Sequence, residues 1–569
     1  MNQQNRQIGY GETAALRNLE QVVREWVVPF LEGWINTGPQ PVPGPEDIRE
    51  IETLVQELSR SHPLPEGYAW LPKFLEKMAA STRFNARNFV NIHPTPHLPA
   101  VVAGLVASIQ NPNNIVEEVS KTTTSLEQDA VRWMAEHLVG FDPDKAWGNV
   151  VSGGTIANMT ALLVARDYSY RKLARPRPSD VRTRGLYGLP AGVVLATAGS
   201  HYSVKKALWF LGMGDENVVR IPVAYDEAVH RRQISDANFV EGITNKEWKE
   251  TIGGSVAEDR KRGEQELAAF YRGDQCPFSL QPLNSEIFKA LYSCFEYNTP
   301  LVGYVFTLGT TDTGTIEAPN DEAIKTLVKE NVFIHADAAL GGFALPHKRL
   351  AGLVKGLSRV HSVTIDGHKL GQLAYPNGAI LFRDVAWRQE IMHEAPYLRG
   401  LAPTLEGSRT GASSASLWAA IQDLGKTSGY HGILDRLFAF VDRLKELIAT
   451  DGTFQVLHHV QLTTLAVAPV PRGGETRTQV NRIVGEMRSR IEKDRDHEAF
   501  LINIDDGLSE IKVRDSNRFI RFDHEGESDD DRLVDIRCLR LVVSNPGVAP
   551  GDAGLLLHYL LKTLREVRG

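Results

Sequence analysis

Short apolar runs, most of them closing on small or polar residues, alternate with amphipathic stretches through the middle of the chain. GVVLATA at 192–198, VVRIPV at 218–223, YVFTLGTT at 304–311, NVFIHADAA at 331–339 and SVTIDGH at 362–368 predict strands. Helical periodicity follows His201 and runs through DEAIKTLVKE at 321–330. Unbroken apolar runs belong to strands covered on both faces. Strands of this kind alternating with helices predict an α/β fold with a mostly parallel central sheet covered by helices. Ligands bind such sheets beyond the carboxyl ends of the strands, so the residues directly after each run are the candidates for chemistry.

The flanks differ. Residues 1–92 read as an amphipathic helical segment, interrupted by GPQPVPGP at Gly38 to Pro45, which cannot continue a helix. A large α/β domain is expected over 93–424, opening with HPTPHLP and then Ser125-Leu126-Glu127-Gln128. That tetrad has the form of a capping box, with Val131, Met134 and Leu138 on one face of the helix it would start. A smaller C-terminal α+β domain is expected over 425–569. The charged stretch at about 226–274 and the acidic DHEGESDDD at 523–531 read as solvated surface insertions.

Charge and cysteine content narrow the classes. The 63 Lys plus Arg against 70 Asp plus Glu give a net −7 over 569 residues, without the basic excess of a nucleic-acid binder. Cys276, Cys294 and Cys538 lie far apart and match no metal-ligand spacing, so reduced thiols and a cytoplasmic location are expected. The N-terminus lacks a basic-then-apolar leader pattern, and nowhere do 18 apolar residues run without a charge. Secretion and membrane insertion are therefore not expected. HExxH and GxSxG are both missing, and His458-His459 have no companion ligands nearby, so neither a metal site nor a serine hydrolase is indicated.

Four features fall at predicted strand ends. Ser152-Gly153-Gly154-Thr155 precedes a long helical run, and glycines at a helix start let backbone N–H groups approach a phosphate. By itself this is an ordinary tight turn as readily as an anion site. His201 follows the 192–198 strand, where an imidazole can stack on a flat cofactor or shuttle protons. Asp337 ends a strongly apolar run and needs a cationic partner if it is buried, unless it caps the next helix. Lys369 follows His368 after the 362–368 strand; a lysine that loses its proton on partial burial becomes a nucleophile toward an aldehyde. A carboxylate for a pyridinium and a lysine for an aldehyde, with a phosphate turn upstream, describe pyridoxal 5′-phosphate.

The ordered series SGGTIAN, SHYS, FTLGTTDTGTIEAP, HADAALGG, DGHKLGQLAYPNGAILF and LEGSRTGA resembles the group II pyridoxal-phosphate-dependent amino-acid decarboxylases, from about His93 to Trp418. The resemblance implies a type I aminotransferase-like fold and a homodimer with shared active sites, in which the N-terminal segment serves dimerisation. It implies that Lys369 holds the cofactor as a Schiff base and that Asp337 pairs with the ring nitrogen. His201 and Ala339 would cover the two ring faces, and Gly154, Thr155 and His368 would take the phosphate. Thr311 would lie near the ring and substrate, and His93, Pro94 and His97 would help to shape the substrate pocket. Tyr397, in EAPYLRG, matches the loop tyrosine that returns a proton after CO₂ leaves, a task a phenol can perform. Gly367 and Asp366 depart from the pattern, where proline and, in some members, asparagine stand.

The resulting expectation is decarboxylation of an L-amino acid, with a tyrosine-like substrate ahead of a dicarboxylic one. For the latter, arginines such as Arg409 are candidates to bind a second carboxylate. Aminotransferase and carbon–carbon lyase readings share Lys369, Asp337 and the phosphate turn, but Tyr397 and GSRTGA argue against them. A non-catalytic cofactor-binding protein would carry a damaged site, and none of these positions is lost.

Overall fold

The computed structural model describes residues 13–37, 43–81, 87–172, 181–224, 299–394, 401–425, 429–493 and 537–569 apart from isolated positions, with short pieces between 281 and 294 and between 503 and 534. Tyr397, Cys276 and both charged stretches lie outside the described residues.

At the centre is a seven-stranded sheet of β1 (Trp147–Val151), β2 (Val193–Thr197), β3 (Val218–Ile221), β4 (Leu301–Thr307), β5 (Phe333–Asp337), β6 (Ser362–Asp366) and β7 (Gly378–Phe382), in the order β1-β7-β6-β5-β4-β2-β3. Neighbours from β3 to β6 pair in parallel, while β7 runs antiparallel to both β6 and β1. The five runs read as strands from the sequence are all in the sheet. β1 and β7 are the two strands not among those runs.

Strand periodicity sorts side chains between two cores. On β5, Ile334 and Ala336 join the larger apolar cluster. Phe333 joins the opposite one, with Ala157, Ala161 and Ala165 of α3 (Gly154–Lys172). Because side chains two apart share a face, His335 and Asp337 also project toward α3. The alanines let this helix lie close to the sheet, and each Ile or Phe so buried contributes about 1.5–3 kcal/mol.

The other helices frame the sheet: α1 (Leu98–Gln110), α2 (Lys121–Met134), α4 (Ser203–Phe210), α5 (Asp321–Lys329) and α6 (Gly411–Leu424). α2 corrects the sequence reading, because it starts at Lys121 and Ser125 lies inside it. Thr123 is held in the first turn by donating to Asn114 Oδ1 at 2.6 Å, a tertiary contact that outweighs the weak helix propensity of threonine. Glu127 therefore points inward, where its Oε1 accepts from the Val150 N–H at 2.7 Å and its carboxylate meets the Arg409 guanidinium.

Helical segments Thr13–Val22, Val23–Val27, Val28–Asn36, Pro45–Ser61 and Leu71–Met78 form a separate apolar cluster around Trp26, Phe30, Ile51 and Val55. After α7 (Gly429–Asp451), strands β8 (Phe454–Val456), β9 (Thr464–Pro469), β10 (Asn503–Asp505) and β11 (Cys538–Val542) build an antiparallel sheet ordered β8-β9-β11-β10. It is flanked by α8 (Arg477–Lys493) and α9 (Ala553–Arg568). This unit grips the loop after β4: Gln461 Oε1 accepts from the Ile316 N–H at 2.7 Å. A Cβ on Gly309 would come within 2.9 Å of Leu462 and 3.0 Å of the Gly341 nitrogen, and Gly309 has φ +107°, so both space and backbone require glycine there.

Candidate active site

The carboxyl ends of β1, β2, β4, β5 and β6 open on one cavity of about 370 Å³. From β1 comes the turn Ser152-Gly153-Gly154, which leads straight into α3. The N–H groups of Ile156 and Ala157 both bond back to the Gly153 carbonyl, leaving those of Gly154 and Thr155 at the helix mouth, where the helix dipole favours an anion. Space enforces the glycine. A Cβ on Gly154 would sit 2.9 Å from Asp366 Oδ2 and 3.3 Å from the Ala339 methyl.

β2 delivers His201, whose Nδ1 lies 2.8 Å from Ser203 Oγ. β4 delivers Thr311, whose carbonyl accepts from Arg540 Nη1 at 3.2 Å. β5 delivers Asp337, with Oδ2 accepting from Asn158 Nδ2 at 2.8 Å and Oδ1 from the Ala339 N–H at 3.1 Å. β6 delivers Asp366, His368 and Lys369. Gly154, Thr155, His201, Thr311, Asp337, Ala339, His368 and Lys369, all nominated from sequence, thus share one cavity.

His93 and His97 are placed differently. His93 meets the cavity-lining Tyr375 edge-on at 5.2 Å, and its burial lowers its pKa. His97 does not line the cavity; it precedes α1 and its Nε2 lies 2.7 Å from Asp423 Oδ2.

The electrostatics revise two expectations. Lys369 is not deprotonated by burial: burial pulls its pKa down, but the carboxylates of Asp366 and Asp337 outweigh this and hold it above the ordinary lysine range. Its Nζ lies 3.1 Å from Asp366 Oδ2. Arg409 is unavailable to a substrate. It is buried in an ion pair with Glu127, and Nη2 donates to the Asn114 carbonyl at 2.7 Å.

Sequence reading missed Asn158, Ser203, His335 and Tyr375. Tyr375 stacks on His368 at 3.9 Å between ring centroids. His368 is buried, its Nε2 is 3.5 Å from Asp366 Oδ2, and its Nδ1 has no partner among the described residues. Its pKa is lowered, chiefly by burial, against the pull of Asp366.

These groups fit pyridoxal phosphate. A buried imidazole nitrogen without a partner and two N–H groups at a helix mouth suit a phosphate. A buried carboxylate suits a protonated ring nitrogen, and a lysine in the same cavity suits an aldehyde. Among the described residues no cluster of metal-ligating side chains occurs, and no helix is long and apolar enough to cross a membrane.

Comparison with known proteins agrees. Residues 284–468 match the pyridoxal-dependent decarboxylase conserved domain. A probable L-tyrosine/L-aspartate decarboxylase from Methanothermobacter thermautotrophicus is 27% identical over 351 residues, 60% of this chain and 73% of the relative. The aspartate 1-decarboxylase of Aliivibrio fischeri is 25% identical over 497 residues, 82% of this chain and 76% of the relative. Among solved structures, Oryza sativa TDC with PLP and tryptamine superposes with a TM-score of 0.69 at 16% identity, covering 99% of this chain and 100% of that one, a likeness of fold.

Proposed function

We propose that the chain, whose residues 284–468 match the pyridoxal-dependent decarboxylase conserved domain, is a group II pyridoxal-phosphate-dependent amino-acid decarboxylase that converts an L-amino acid with an aromatic, tyrosine-like side chain to its amine and CO₂. The observation that carries this substrate choice is the cavity wall. Ile92, Leu340, Tyr202 and Tyr375 line it, and both tyrosines remain more than half exposed, at 65% and 57%. Among the described residues, Arg409 is committed to Glu127 and Arg540 to the Thr311 carbonyl and Asp312. Neither of these two guanidinium groups is open to a second side-chain carboxylate, which is costly to bring unpaired into a partly buried site. A dicarboxylic substrate is the second reading, favoured by the Aliivibrio fischeri aspartate 1-decarboxylase matching 82% of the chain.

When bound, pyridoxal phosphate supplies an aldehyde for the substrate amine and a ring that takes up the electron pair left as CO₂ departs. The chain's residues divide the remaining work. Gly154, Thr155 and His368 would hold the phosphate, and Asp337 would favour a positive charge on the ring nitrogen. His201 and Ala339 would confine the ring, and Thr311 would face the substrate. Lys369 would hold the cofactor through its aldehyde. Tyr397, matched from the sequence alone, would supply the phenolic proton to the product carbon.

The solution state belongs to the same proposal. α1 exposes Leu98, Val102, Leu105 and Val106, an apolar face suited to a second copy in a homodimer, with His93 and His97 close to that boundary. Cys294 and Cys538 are both buried, which suits a reducing cytoplasm.

The test is CO₂ release from a panel of L-amino acids, with Lys369→Ala as the blank. Release above the blank from tyrosine or a related aromatic supports the reading; release from aspartate or glutamate alone moves the second reading forward. A yellow protein that releases no CO₂ from any of them removes the decarboxylase assignment. Tyr397→Phe should lower amine formation by about 10²-fold or more, the scale of general acid catalysis. Wild-type rates of amine and CO₂ in that variant would remove Tyr397 from its role.

A further inference from the structure

A hydrogen-bonded chain runs beneath the cavity floor and joins its two sides. Asn158 is 1% exposed and stands at its centre. Its Nδ2 donates to Asp337 Oδ2 at 2.8 Å and to Ser203 Oγ at 2.9 Å, using both amide hydrogens. Its Oδ1 faces His335 Nε2 at 2.9 Å. His335 Nδ1 lies 2.8 Å from Ser362 Oγ, and Ser203 Oγ lies 2.8 Å from His201 Nδ1.

The donors can be assigned along this chain by elimination. Asp337 as a carboxylate only accepts, so the amide nitrogen of Asn158 must face it and the amide oxygen must face His335. His335 must then donate from Nε2. Its burial lowers its pKa to about 4, so it is neutral near pH 7, and Nδ1 accepts from the Ser362 hydroxyl. Ser203 already accepts from Asn158, so its own hydrogen goes to His201 Nδ1, which the Ser203 backbone N–H also approaches at 3.3 Å. His201 is left as the tautomer with hydrogen on Nε2.

We propose that Asn158, held in one orientation by His335, is the positioning residue that sets both the direction of the Asp337 carboxylate and the tautomer of His201. The ring-nitrogen partner and the ring-stacking imidazole are thereby set by one amide. This rests on the reading of the cavity as the pyridoxal phosphate site. An amide turned the other way would place its oxygen against Asp337 and leave a buried donor facing His335, so the chain has one polarity.

The test uses the full chain with pyridoxal phosphate as the probe. Affinity is read by fluorescence titration, the bound cofactor by its visible absorbance across pH, and turnover as separate kcat and KM. Asn158→Asp puts a second carboxylate against Asp337 and should weaken cofactor binding about tenfold or more while altering the pH response of the absorbance. His335→Phe should alter the absorbance in the same direction, and His335→Gln, which keeps a donor toward Asn158, should restore it. Ser203→Ala removes only the link to His201 and should lower kcat several-fold with cofactor affinity nearly unchanged. If Asn158 variants do not fold, the His335 pair and Ser203→Ala decide the matter alone. Wild-type affinity and absorbance in Asn158→Asp or His335→Phe would overturn the proposal. A wild-type chain that takes up no pyridoxal phosphate would overturn the cofactor reading and this inference together.

Discussion

Adjacent strands β5 and β6 each end in a buried aspartate facing the same cavity, but the surroundings of the two carboxylates differ. Asp337 has both oxygens occupied by neutral donors, the Asn158 amide and the Ala339 N–H. Asp366 meets Lys369 Nζ and the His368 ring through Oδ2, while its Oδ1 has no partner among the described residues. A carboxylate fixed by neutral donors keeps its charge available for a cation that arrives later, such as a ring nitrogen. A carboxylate already paired with a lysine has spent most of its field on a residue of the chain, and its geometry can change when that lysine is engaged elsewhere. The β5 end is built as a fixed electrostatic anchor, and the β6 end as an exchangeable ion pair.

The sharpest way to break this contrast is to neutralise each aspartate separately. Asp337→Asn removes the charge that faces the ring nitrogen and is expected to lower decarboxylation by about 10²–10³-fold, the loss typical of a preorganised electrostatic group. Asp366→Asn keeps the side-chain volume beside Gly154 and should cost about tenfold or less. Steady-state CO₂ release measures both. Equal losses in the two variants would mean that the two carboxylates are equivalent and the distinction fails.

Acid sharpens the contrast from the β5 side. His335 has an ordinary pKa near 6.5 in the unfolded chain and about 4 when buried in the fold. The unfolded chain therefore binds the proton more readily, and stability present above pH 6.5 is lost as pH falls toward 4. The integrated loss is about 3 kcal/mol. His458, also buried with a pKa of about 4, adds to the loss in the same direction. A thermal midpoint followed from pH 7 to pH 4 should fall steeply in the wild type and less in His335→Gln. An unchanged acid slope in that variant would show that His335 is not the group responsible.

Much of this site was legible before the fold was seen, because its residues follow apolar runs whose ends the chain marks with small or charged groups. HADAA and DGHK announce themselves in that way. Their supports do not. Asn158 sits in a helix, where a lone polar residue reads as solvent-facing, and only the packing of Ala157 and Ala161 against the sheet turns it inward. His335 did leave a signal: it stands two residues before Asp337 in a strand, so both must share a face. Arg409 shows the opposite failure. Its motif was visible, yet its partner Glu127 is 282 residues away and was itself assigned to a helix start that the structure places elsewhere. Tyr375 left no trace in spacing or periodicity, because a loop sets its position over His368.

Alkali tests the β6 side and carries the smallest expected effect. Lys369 has its pKa raised in the fold, with burial opposing and the carboxylates of Asp366 and Asp337 prevailing. A cation whose pKa rises on folding contributes stability that is complete below its unfolded value, near 10.4 for lysine, and that disappears as pH climbs through the folded value. Thermal midpoints of the wild type, measured without added cofactor, should therefore decline above about pH 10. In Asp366→Asn the lysine loses its nearest carboxylate, so the decline should be shallower and begin at lower pH, while the acid limb set by His335 stays as it was. If Asp366→Asn changed the acid limb instead, the two strand ends would be coupled through the cavity, and the separation of a fixed anchor from an exchangeable pair would not hold.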